Sequence, residues 1–269
     1  MYGSTELAEV RERGKEGVGR TRRRIGAPQL PLLHPPSAYR LPAYNAPVIS
    51  KLPRWVWLGA WLLSFVAGMV NVVGLLGFEH DPVSHLTGSF TRLGISAMHG
   101  DIATLWTLAL LIGAFLIGAI LSGCLIQTSA LQIGRHYGTV LLLETFLLMA
   151  AISFLQHHSR VGFPLLCMAC GLQNAMASTY SGAIVRTTHM TGVFTDFGVL
   201  LGQMLRGSPA DWRRICLFGS ILGGFLCGGA MGAVIFPHLA YKTLLVPAAL
   251  TGIMALGYVL FDMSKRQSS

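Results

Sequence analysis

From residue 55 onward, apolar runs of membrane length follow one another, separated by short polar breaks. Stretches 55–76, 102–126, 161–185, 215–236 and 243–261 contain no Asp, Glu, Lys or Arg, and 139–155 contains one, Glu144. About 20 apolar residues at 1.5 Å rise each cross the hydrocarbon core of a bilayer. Each of the six runs is therefore predicted to be a transmembrane helix. Two further segments, 85–99 and 189–205, are apolar overall but cut by glycine, and each carries one charge, Arg92 or Asp196. The expected fold class is all-α: a polytopic membrane protein with six long transmembrane helices and two interrupted segments that either span or re-enter.

The interrupted segments repeat each other. His85-Leu-Thr-Gly-Ser-Phe-Thr-Arg-Leu-Gly94 recurs as His189-Met-Thr-Gly-Val-Phe-Thr-Asp-Phe-Gly198, identical at six of ten positions and offset by 104. Gly68-Met-Val-Asn71 matches Gly171-Leu-Gln-Asn174 at an offset of 103, and 113–118 matches 219–224 at 106. Three matches in one order at nearly one offset predict two tandem copies of one unit, 54–156 and 157–262, between a tail at 1–53 and a short one at 263–269. The tail holds seven of the 12 prolines and no apolar periodicity, so it is expected to be disordered.

A segment built only for packing in lipid has no use for His, two Thr and a charge within ten residues. Polar groups at membrane depth are costly unless partnered or exposed to a wet cavity. Interrupted segments at matching places in two halves mark midplane sites in transporters. His85, Thr87, Thr91, His189, Thr191 and Thr195, with Asn71 and Asn174, are thus expected to bind a substrate. The plainer alternative for the two asparagines is interhelical hydrogen bonding. Arg92 and Asp196 sit at equivalent positions with opposite sign, which predicts an ion pair at the repeat interface; the alternative is that each snorkels to the membrane surface. Glu144, aligned with Ala248 and so without an acidic counterpart, is a candidate proton carrier, since a lone carboxylate in hydrocarbon is expensive. Glycines 224, 228 and 232, four apart, predict a close-packing face that could also join copies of the chain into a homo-oligomer.

Composition narrows the class. Of 269 residues 52% are hydrophobic and 12% charged, with a mean hydropathy of +0.57, against about 25% charged in soluble domains. The formal charge is +9, but ten of the 20 Lys/Arg lie in the first 54 residues. That bias fits a cytoplasmic tail better than a nucleic-acid face. Positive-inside counting places both termini in the cytoplasm for either span count. Six spans would make the halves inverted, eight would make them parallel. The five cysteines all fall in apolar runs, so Cys167 and Cys170 are read as small packing residues, and no disulfide, metal or cofactor is expected.

With these motifs in hand, the chain resembles the YoaK-like family of uncharacterised bacterial membrane proteins. The resemblance is carried by Phe65-Val-Ala-Gly-Met-Val-Asn71, by Val83-Ser-His-Leu-Thr-Gly-Ser-Phe-Thr-Arg-Leu-Gly94, and by Thr188-His-Met-Thr-Gly192. It implies about six spans and a bacterial inner-membrane location, and it implies no particular activity. The expected function is a secondary transporter or permease for a small polar or anionic solute. A membrane enzyme using His85 or His189 and a non-catalytic scaffold are the alternatives. A cavity lined by both His-x-Thr-Gly copies separates the first from a scaffold, which would have a dry, packed midplane.

Overall fold

The computed structural model describes residues 55–78, 83–126, 136–181 and 185–267; the predicted tail at 1–53 lies outside them. Among the described residues the secondary structure is entirely helical. In chain order the helices are α1 (Trp55–Leu76), α2 (Leu86–His99), α3 (Ile102–Leu125), α4 (Tyr137–Gln156), α5 (Gly162–Ser181), α6 (Met190–Leu205), α7 (Trp212–Leu239) and α8 (Leu245–Gln267). A 3-10 turn, Ala240–Leu244, separates α7 from α8. The two interrupted segments form short helices of 14 and 16 residues, about 21 and 24 Å long at 1.5 Å per residue and so shorter than the ~30 Å hydrocarbon core.

Four stretches are both long and apolar enough to cross a membrane: Val56–Leu76, Ile102–Leu125, Tyr137–Gln156 and Trp212–Leu260. The last, of 49 residues, contains both α7 and α8, broken at the 3-10 turn. Helix α5, expected as a span, falls outside this set because Gln173, Asn174, Ser178 and Thr179 dilute it. Its sides are covered by protein, with Phe163, Leu166, Cys167, Cys170, Leu172 and Gln173 all buried, so it needs no lipid-soluble surface. Helix α8 continues through Gln267, past the expected start of a tail at 263.

Glycine sets the closest packing. A Cβ on Gly228 would strike the carbonyl oxygen of Phe65, one on Gly224 that of Trp61, and one on Gly232 would touch Met69. Both numbers rise together, so α1 and α7 run parallel with backbones in contact. The expected glycine face therefore exists, and its partner is α1 of the same chain rather than a second copy. The pairing of α3 with α5 uses the same device: Gly118 lies against the Met168 carbonyl and Gly171 against that of Phe115.

Helices α4 and α8 cross the other way. Gly138 near the start of α4 faces Tyr258 and Val259, whereas Thr145 faces Gly252 and its hydroxyl lies 2.8 Å from that of Thr251. One number rises as the other falls, so this pair is antiparallel. Helix α4 also packs on α5, and α1 on α8, while α2 lies on α3 and α6 on α7.

The buried face of α3 is Leu108, Leu111, Ala114, Gly118 and Ser122. The buried face of α7 includes Phe218, Ile221, Gly224, Gly228 and Gly232, each 110 residues further on. The N-caps follow the same spacing. Asp101 accepts from the Thr104 N–H at 3.1 Å, and Asp211 from the Arg214 N–H at 3.2 Å. These buried positions and caps are therefore spaced by 110, not by the 106 of the glycine match in the sequence; Gly113 and Gly219, which anchored that match, face open space.

Around this bundle many of the outward side chains are large and apolar. Trp106 is 69% exposed, Phe146 67%, Leu226 73% and Leu205 90%. In water so continuous a greasy belt would aggregate. Against lipid tails it is the solvent-matched surface.

Candidate functional site

The two histidines occupy N-cap positions with nearly the same backbone geometry, φ −88°, ψ 64° at His85 and φ −94°, ψ 61° at His189, and neither makes a side-chain cap hydrogen bond. The spacing to glycine explains itself here. Each imidazole folds back over the first turn and lies where a Cβ on Gly88 or Gly192 would sit, meeting Cδ2 and Nε2 of the ring. In His-x-Thr-Gly the glycine makes room for the ring.

The asparagines hold the segment leading into each histidine. Asn71 Oδ1 on α1 accepts from the backbone N–H of Ser84 at 3.2 Å and from its hydroxyl at 3.1 Å. Asn174 Oδ1 on α5 accepts from the Thr188 N–H at 3.4 Å. Each ties a long helix to the residue just before the histidine. The interhelical bond expected of such residues falls to Gln173, whose Nε2 donates to the Leu63 carbonyl at 2.6 Å. Cys167, buried, donates to the Val83 carbonyl at 3.4 Å, and together with Cys170 it is a free packing thiol.

These elements enclose a polar cavity of about 570 Å³. Its lining comes in pairs: Asn71 with Asn174, Ser84 with Thr188, His85 with His189, Leu86 with Met190, Thr87 with Thr191, and Phe115 with Phe225. Ser178 and Arg186 complete it without a counterpart. Six of the eight residues expected to bind substrate therefore meet in one place. Thr91 and Thr195 do not line it; their hydroxyls donate to the Thr87 and Thr191 carbonyls at 3.0 and 2.9 Å on their own helices.

Arg92 and Asp196 are exposed, lie on helices that share no packed interface, and are not in the lining. The expected ion pair between them finds no support in this arrangement. Glu144 is buried on α4 away from the cavity, and its Oε2 has no hydrogen-bond partner among the described residues.

The residues that the motifs did not reveal are Ser84, Thr188, Ser178, Phe115, Phe225 and Arg186. The first two immediately precede the histidines and were within reach of the same alignment. The phenylalanines correspond only at 110, a spacing hidden by the extra residues between α6 and α7. Arg186 has no repeat to announce it, and its place in the cavity follows from the packing of α5 and α6 on either side of it.

A helical bundle with an apolar exterior and a polar cavity inside defines an integral membrane protein. A family profile described as a protein of unknown function, DUF1275, matches residues 59–257, and the chain belongs to that family. A relative, UPF0700 transmembrane protein RA0705 of Rhizobium meliloti (strain 1021), is 30% identical over 187 residues, which cover 69% of this chain and 78% of the relative. The resemblance to an uncharacterised bacterial membrane family is thereby borne out. No solved structure matches the chain.

Proposed function

We propose that this protein is a secondary transporter or permease of the bacterial inner membrane, carrying a small polar or anionic solute through a site between two inverted repeats. The observation that carries it is the cavity lined by both His-x-Thr-Gly copies. A partly open cavity lined by polar groups, with both histidines exposed to it, is costly against lipid, and a scaffold has no use for one. Its volume falls in the ~300–1,000 Å³ range of small-molecule sites.

Six spans rather than eight are supported by two features. Helices α2 and α6 are too short to cross alone. The antiparallel crossing of α4 and α8, the final helices of the two proposed units, fits a two-fold axis lying in the membrane plane, whereas parallel halves would set them parallel. On this topology each short helix re-enters from the cavity toward its own face, and both termini lie on one side. The tail with Arg135, Arg186, Arg206, Arg213, Arg214, Lys265 and Arg266 then faces the cytoplasm, while Arg160 and Lys242 face outward. Glu144, buried and off the solute path, is suited to couple proton binding to helix movement.

The test is uptake by vesicles containing the purified protein, screened against small metabolites with and without a pH gradient. A solute taken up by the native chain and not by the His85→Ala/His189→Ala double variant is the expected result. If no solute enters above protein-free vesicles while the protein remains monodisperse, transport is ruled out.

A further inference from the structure

We propose that the cavity selects a small organic anion, and that Arg186 receives its carboxylate; this rests on the transport site above and specifies its substrate. Among the described residues Arg186 is the one fixed charge in the lining, and no Asp or Glu lines the cavity with it. Arg186 has no ion-pair partner among the described residues, and its side chain is exposed. With no Asp or Glu among the described lining residues to pair with it, an exposed guanidinium at the edge of a cavity attracts an anion, and the concave walls concentrate its field more than a flat surface would. The surrounding groups agree in sign. Two imidazoles and several hydroxyls can donate hydrogen bonds.

The chemistry favours a carboxylate with a short organic body over a bare inorganic ion. Arginine's planar fork fits a carboxylate in bidentate fashion. Phe115 and Phe225, from α3 and α7, supply apolar walls that a small inorganic anion would leave unused. A cavity of about 570 Å³ is also far larger than such an ion requires.

The experiment uses the full chain in detergent or nanodiscs. Binding of acetate, butyrate and succinate is measured by calorimetry beside the neutral amides of the same acids and inorganic phosphate. The expected order is organic carboxylate above phosphate, with the amides not binding. Arg186→Gln should weaken carboxylate binding by about tenfold to a hundredfold, the usual worth of a charge-assisted pair. Arg186→Lys should recover part of it, since an ammonium keeps the charge but loses the fork. Equal binding of amide and acid overturns the proposal. So does unaltered carboxylate affinity in a monodisperse Arg186→Gln protein, or no binding by any probe. Phosphate bound as well as butyrate rejects the organic part. Carboxylate binding with no uptake in vesicles would sink transport and leave the anion site standing. Uptake of a neutral solute, equal in native and Arg186→Gln vesicles, would do the reverse.

Discussion

At the scale of single residues, the cavity depends on glycine as much as on histidine. Gly88 and Gly192 carry no polar group, yet each clears the space in which an imidazole lies. Alanine there forces the ring to turn about its own bonds, which a surface side chain can do without unfolding the helix. Gly88→Ala is therefore expected to leave the melting temperature in detergent nearly unchanged while lowering solute uptake on the order of tenfold, the cost of displacing a positioned group by a fraction of an ångström to an ångström. A loss of folded protein in place of a loss of uptake would mean that the glycine serves packing instead. Ser84→Ala removes one of the two bonds to Asn71 and keeps the backbone one, so a smaller effect on uptake is expected, with the same readout.

At the scale of helices, contact distance separates glycines that look alike in the sequence. Gly228 abuts a carbonyl oxygen of α1, which cannot move aside as a side chain can. Gly228→Leu should push α1 and α7 apart and destabilise the protein by at least about 3 kcal/mol, the upper part of the range for overfilled interiors. Gly223→Ala, where a Cβ meets open space, should stay within about 0.5 kcal/mol. Thermal melts of the two variants side by side check both. The Asp101 cap brings pH into the same picture. Its carboxyl is held below the usual carboxylate range chiefly by hydrogen bonds from Thr104. A lowered pKa in the folded state means that the cap supports α3 above the unfolded value near 3.8 and loses that support as pH falls through the folded one. Protection of the first-turn amides of α3, measured against their intrinsic exchange rate at each pH, should accordingly fall below about pH 3.8, and Asp101→Asn should remove most of this pH dependence.

At the scale of the whole molecule, the topology has a direct test. With six spans, Ser159 and Ser208 lie on opposite faces of the membrane; with eight they share one. Cysteines placed at these two positions in a variant lacking the native five should react differently with an impermeant maleimide added outside intact cells, Ser159→Cys labelling and Ser208→Cys remaining protected. Much of this architecture was legible in the sequence. Long runs with no charge, or with Glu144 alone, place α1, α3, α4, α7 and α8, because lipid demands apolar surface over a fixed length. The His-x-Thr-Gly copies pointed to four cavity residues and the Gly-x-x-Asn match to two more, because polarity in such surroundings needs a reason. What stayed hidden depended on three-dimensional arrangement. Whether Gly224 faces its own chain or another is a matter of which helix arrives there. The direction of α4 against α8 is set by whether α2 and α6 cross, and their length as helices is ambiguous in one dimension. Arg186 reads as a loop charge until the fold sets it in one cavity with Asn71, Ser84 and His85, more than a hundred positions earlier.

That arginine is also where the pairing of the cavity lining breaks down. Apart from Ser178, every other lining residue has its mirror, but the position matching Arg186 is Pro82. Two identical halves would offer a solute the same welcome from either compartment, and only gradients would decide which way it went. A lone cation at one doorway ends that equivalence. Occupancy would be favoured from one compartment over the other even at equal concentrations, so influx and efflux should saturate at different solute levels, a rectification written into the chain by one unmatched residue.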